Sequence, residues 1–174
     1  MKPYLFLDID GVLNVPKRPY RTHTVDVARD ELPRSPFVNE FRGDVVTFSL
    51  YLPRAYRDWL AELADSYELA WATTWEHLAN RHVSPLLGLG ELTTVAFSTL
   101  GLHQPTDTVE TFKWRGLVAT SPERPFVWID DDAETLSRQY PLELGASRVA
   151  LWAPRGLTRQ HVDALLAHAP TVTD

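Results

Sequence analysis

Cysteine is absent from this 174-residue chain. That excludes a disulfide framework, a thiolate-ligated zinc or iron–sulfur site, and a thiol nucleophile. Lysine is nearly absent: Lys2, Lys17 and Lys113 are three of only 17 basic residues. Basic charge as a whole is outnumbered, and the formal net charge of -6 argues against non-specific coating of nucleic acid or anionic membrane. Long apolar runs are missing as well. The chain opens Met1-Lys2-Pro3-Tyr4-Leu5-Phe6-Leu7-Asp8, an apolar stretch too short for a signal sequence or a membrane span. A cytoplasmic protein with no membrane association is expected. Repeats and low-complexity tracts are also lacking, and the length suits one domain over residues 1–174, large enough to bury a core.

What is present is a succession of short apolar runs. Residues 4–7, 69–73, 93–97, 126–129 and 149–152 read as strands, several of them continuous enough to be buried on both faces. Helical patterns lie between or after them, over 53–64, 75–87, 108–119, 133–140 and 157–168. Pro53 opens the first at a first-turn position, Pro85 ends or kinks the second, and Thr158 is placed to cap the last. Strands alternating with helices predict an α/β fold with a mainly parallel sheet covered on both sides. Ligands then bind beyond the carboxyl ends of the strands. Three of the five predicted strands end in residues fit for chemistry: Asp8 and Asp10, Thr73 and Thr74, Asp130 and Asp131.

Asp8-Ile9-Asp10-Gly11 sets two carboxylates on the same side of an extended chain, and the glycine lets the chain turn sharply after them. Two close carboxylates resist joint ionisation unless a cation or hydrogen bonds offset the charge. A hard divalent cation such as Mg²⁺ meets that need with oxygen ligands. A solvated turn after a strand would look the same in isolation. Asp130-Asp131-Asp132 narrows the choice. One of these acids could cap the helix beginning near Ala133, but three acids beside a second acidic pair point to a metal.

These residues, in this order, resemble the haloacid dehalogenase (HAD) superfamily of phosphatases and phosphotransferases. The first motif is Asp8-Ile9-Asp10-Gly11-Val12-Leu13-Asn14, the second the Thr of Trp71-Ala72-Thr73-Thr74-Trp75, the third Lys113, and the fourth Trp128-Ile129-Asp130-Asp131-Asp132. The second and fourth are also similar to those of HAD domains associated with RNA-repair proteins. The resemblance implies a Rossmann-like three-layer sandwich with strand order 3-2-1-4-5. It implies Asp8 as nucleophile, forming an aspartyl-phosphate, and Asp10 as the acid and base for the leaving oxygen and water. Mg²⁺ would be held by Asp8, the backbone carbonyl of Asp10, and Asp131, with Asp130 assisting. Thr73, or the adjacent Thr74, would bind a phosphoryl oxygen. Lys113 would contact Asp8 and phosphate, a role suited to a compact ammonium. Without the motif order, Lys113 would read as a surface residue and the two threonines as ordinary strand formers.

Residues 15–52 interrupt the alternation. Prolines punctuate the segment, and 23–27 and 45–51 alternate like strands, so a β-hairpin flap inserted after the first strand is expected. Residues 17–57 carry a net charge of +3, leaving -9 on the remainder. A flap this short implies an open site for a phosphorylated substrate, a small molecule or a nucleic-acid end, with Arg18 and Arg21 as candidate phosphate contacts. Trp71, Trp128 and Trp152 read as core, Trp75 and Trp114 as candidates to border the pocket, and His77 as a possible substrate contact. Two other readings compete. A non-catalytic phosphate-binding domain would have little reason to keep both Asp8 and Asp10. A receiver-like domain would place its Thr and Lys after all the acids, whereas Asp130 and Asp131 follow them here.

Overall fold

The computed structural model describes residues 1–15, 22–35, 41, 43–143 and 145–169. Five strands form one parallel sheet: β1 (Tyr4–Leu7), β4 (Glu68–Trp71), β5 (Thr93–Thr94), β6 (Phe126–Asp130) and β7 (Arg148–Trp152), in the spatial order β5-β4-β1-β6-β7. This is the order 3-2-1-4-5 that the resemblance implies. A separate antiparallel hairpin pairs β2 (His23–Ala28) with β3 (Val45–Leu50) inside the segment read as a flap.

Strand alternation divides the core into two layers. Leu5, Leu7, Leu69, Trp71, Val127, Ile129 and Val149 face one side. There they meet α1 (Ala55–Ala64), α2 (His77–His82) and α6 (Arg159–His168) through Leu60, Leu63, Leu78, Val162 and Leu165. Phe6, Ala70, Phe126, Trp128 and Ala150 face the other, packed by Phe112, Trp114 and Leu117 of α4 (Val109–Thr120) and Leu136 of α5 (Glu134–Gln139). The near-continuous apolar runs are therefore explained by burial on both faces.

Several local expectations shift. The helix expected over 75–87 is two pieces, α2 and α3 (Ser84–Leu87), with Pro85 in the first turn of the second. Proline has no N–H to continue the first helix but suits the start of a new one. The third strand is cut to Thr93–Thr94 at the sheet edge. Thr108 and Thr158 each close a capping box on α4 and α6. Trp152, expected in the core, is 37% exposed at the end of β7, the edge strand of the sheet among the described residues. Trp114 packs on Phe126, Trp128 and Tyr140; it belongs to the core, not to a pocket rim. No described helix is long and apolar enough to cross a membrane.

Candidate active site

The strand order reverses around β1, so the carboxyl ends of β4, β1 and β6 border one crevice. Sheet hydrogen bonding continues one residue past β1, from Asp8 N to Ile129 O at 3.2 Å and from Ala72 N to Leu7 O at 2.9 Å. That register delivers Asp8, Asp130 and the Thr73-Thr74 pair to the same edge. α4 crosses behind them and sends Lys113 inward, buried with only 4% exposure. Its Nζ lies 3.1 Å from Asp8 Oδ2 and 2.7 Å from Asp130 Oδ2.

One carboxylate oxygen each from Asp8, Asp130 and Asp131 lie within 4.8 Å of one another. Burial pushes the Asp8 carboxyl up, Lys113 opposes this, and Asp10 adds to it. Asp130 is also raised, by burial and by the charge of Asp8, against the pull of Lys113. Burial, Asp8 and Asp132 push Asp131 up to about 6. For Lys113, burial favours the neutral amine, but Asp8 and Asp130 overcome it and hold the ammonium charged. Three carboxylates facing one ammonium leave a deficit of positive charge, and hard oxygen donors this close fit Mg²⁺.

The two acids of the fourth motif have different surroundings. Asp130 is fully buried, with Oδ2 on Lys113 and Oδ1 accepting from Asp132 N at 2.9 Å. Asp131 is only partly buried, and its carboxyl group lies against the Cα of Gly11. A Cβ there would overlap it, and Gly11 also needs φ +85°. The glycine thus serves both the turn and the close approach of Asp131. The Asp131 backbone is anchored by the Trp152 indole, whose Nε1 donates to Asp131 O at 2.9 Å. Neither Asp131 nor Asp132 caps α5: Ala133 is the N-cap residue, with no side-chain cap bond.

Asp10 points to a different neighbourhood. Its Oδ1 accepts from Asn14 Nδ2 at 2.7 Å, and its Oδ2 from Trp75 Nε1 at 2.8 Å. Its carboxylate lies outside the acidic cluster. Asn14 also accepts from Tyr51 N at 2.8 Å and donates to Ser49 O at 3.4 Å. One amide therefore ties Asp10 to the end of the hairpin. Phe48 of β3 packs on Trp75, with ring centroids 4.6 Å apart. Nothing in the local sequence marks Asn14 beyond its place in the first motif, because its hairpin partners, Ser49 and Tyr51, are 35 residues or more away.

Thr73 is buried, and its Oγ1 accepts from Trp75 N at 3.4 Å. Thr74 is half-buried and lines a cavity beside Asp10. Glu76 follows with φ +45°, unusual for a residue bearing a side chain. Its carboxylate accepts from Ser98 N at 2.6 Å and from Ser98 Oγ at 2.8 Å, tethering the loop after Thr73 to the loop before α4. No sequence signal marked this residue. His77 is exposed at the start of α2. Arg18 and Arg21 lie outside the described residues.

A parallel sheet with this strand order, an acidic turn after its central strand, a buried lysine and a second acidic pair on the adjacent strand define a HAD-type domain of the hydrolase and phosphatase superfamily. Within that class, the chain belongs to the family described as the HAD domain in Swiss Army Knife RNA repair proteins, whose model matches residues 4–162. No curated protein and no solved structure is significantly similar to the chain.

Proposed function

We propose that this chain is a Mg²⁺-dependent phosphomonoester hydrolase working through an aspartyl-phosphate on Asp8. The observation that carries the reading is the division of the two first-motif acids. Asp8 sits with Lys113 among the clustered carboxylates, while Asp10 is turned away onto Asn14 and Trp75. Two carboxylates two residues apart, in different environments, suit two roles.

In the first step an Asp8 oxygen attacks phosphorus and the bond from phosphorus to the leaving oxygen breaks. Asp10 gives its proton to that oxygen, and the alcohol departs. In the second step water attacks the aspartyl-phosphate, its proton passes to Asp10, and phosphate and the Asp8 carboxylate are released. Lys113 is a fixed positive charge beside Asp8 throughout, and Asp130 positions it. Thr73 or Thr74 donates to a phosphoryl oxygen. The residues suited to hold Mg²⁺ are Asp8, the backbone carbonyl of Asp10, and Asp131; when bound, the ion supplies charge neutralisation between carboxylates and phosphate.

The family description and the net charge of +3 over residues 17–57 favour terminal phosphates of nucleotides or nucleic acids as substrates, approached through an open site, with Arg18 and Arg21 as candidate phosphate contacts. The test is a panel of phosphomonoesters with Mg²⁺, including 3′- and 5′-phosphorylated oligonucleotides, run beside Asp8→Asn. Turnover abolished by Asp8→Asn is the expected result. Turnover that survives it overturns the nucleophile assignment. Phosphate and Mg²⁺ binding without turnover of any substrate replaces the enzyme reading with a binding domain.

A further inference from the structure

A cavity of about 160 Å³ opens between the hairpin and the second motif. Among the described residues, Asp10, Thr74 and Trp75 form one wall, and Leu32, Pro33, Phe41 and Phe48 another. The hairpin-side residues are half-buried. Phe41 meets Phe48 edge-on, with centroids 5.8 Å apart, and Phe48 packs on Trp75. The lining thus holds three aromatic rings in succession, with Leu32, Pro33 and Leu78 beside them and one carboxylate at the edge.

Position decides what such a space can receive. Asp10 serves the leaving oxygen, so a cavity bordered by Asp10 lies on the leaving-group side of the phosphate. Its size is close to the roughly 150 Å³ apolar cavity that accommodates a benzene ring. It therefore takes a flat ring, but not a whole nucleotide. Resting on the phosphatase reading above, we infer that this cavity receives the nucleobase of the leaving nucleoside while its phosphate is transferred to Asp8. A nucleoside fits better than a phenolic leaving group because residues 17–57, which span the hairpin and the start of α1, carry a net charge of +3, which suits a substrate bearing further phosphates. The apolar walls offer ring faces, so recognition rests on stacking and tolerates different bases.

The test uses the intact chain and its Asp8→Asn variant, titrated with adenosine and with cytidine. The signal is the indole N–H resonance of Trp75, identified by its loss in Trp75→Phe. Both nucleosides are expected to shift it in both proteins. Dissociation constants should rise roughly tenfold or more in Phe48→Ala and Phe41→Ala and stay within about threefold in Phe48→Tyr. No shift with either nucleoside, or binding unweakened by both alanine variants, overturns the inference. So does a higher kcat/KM for phenyl phosphate than for nucleoside monophosphates. Turnover of glycerol phosphate is measured separately. If it is hydrolysed while nucleosides fail to bind, the base site falls and the phosphatase stands. If nucleosides bind as expected but no phosphomonoester is hydrolysed, the ring cavity is supported and the phosphatase reading fails.

Discussion

Replacing Asp131 by Asn should make the metal-free protein more stable and the metal-bound protein less so. Burial and the charges of Asp8 and Asp132 raise the Asp131 carboxyl from 3.8 to about 6. Fully expressed, that difference is about 3 kcal/mol against the charged form. Asp131 is partly exposed, and solvent screening reduces the penalty to roughly half, about 1.5 kcal/mol. An acid with a raised folded value carries no penalty below its unfolded value. The penalty grows as pH rises from 3.8 and is complete above about 6. For a 174-residue chain, an unfolding entropy of about 2.1 cal/mol/K per residue converts 1.5 kcal/mol into a gain of about 4 °C. Asp131→Asn should therefore melt about 4 °C higher than wild type in EDTA at pH 7.5, with the gain disappearing towards pH 3.5. The Trp152 bond to the Asp131 carbonyl holds the backbone in both proteins. Mg²⁺ at a hundredfold excess over its dissociation constant stabilises wild type by about 2.7 kcal/mol, enough to reverse the order. The assay is thermal melting by circular dichroism with EDTA or Mg²⁺. A variant that melts below wild type in EDTA, or that gains as much from Mg²⁺, refutes the assignment of Asp131 as a strained apo-state ligand.

Three further outcomes follow from the same geometry. Gly11→Ala forces a side chain into the left-handed region at about 1–2 kcal/mol and displaces the Asp131 carboxyl; melting should show both the lower stability and the loss of stabilisation by Mg²⁺. Trp75→Phe keeps a ring against Phe48 but removes the N–H donated to Asp10. It should lower kcat for glycerol phosphate roughly tenfold or more, whereas unchanged kcat would mean that this bond does not orient the acid. Tyr67 donates to Leu165 O at 2.8 Å, and burial pushes its hydroxyl up to about 12. Its contribution to stability is complete below pH 10 and is lost as pH rises through about 12. Tyr67→Phe should therefore be less stable at neutral pH and lose less stability over that alkaline range in chemical denaturation.

The alternation of apolar runs and helical patterns was enough to read a parallel sheet, because a strand buried on both faces must be apolar at nearly every position. Asp8, Asp10, Lys113 and the Asp130-Asp131 pair were legible for a related reason: they occupy the ends of such runs, or stand in a fixed order relative to them. Local sequence also located the hairpin and the Thr158 cap. Which acid does what was not legible. Asp130 and Asp131 are neighbours in sequence, yet opposite sides of the strand end send one to Lys113 and the other to Gly11. The partners of Asp10 are set by Asn14 and Trp75, and those of Asn14 by the far end of the hairpin. Glu76 and the aromatic cavity likewise depend on segments brought together by folding. The sheet and the inventory of charged groups were written locally in the chain, since burial and strand periodicity act within a few residues. The different surroundings of those groups arise from folding, because hydrogen bonding and desolvation depend on what stands across the crevice.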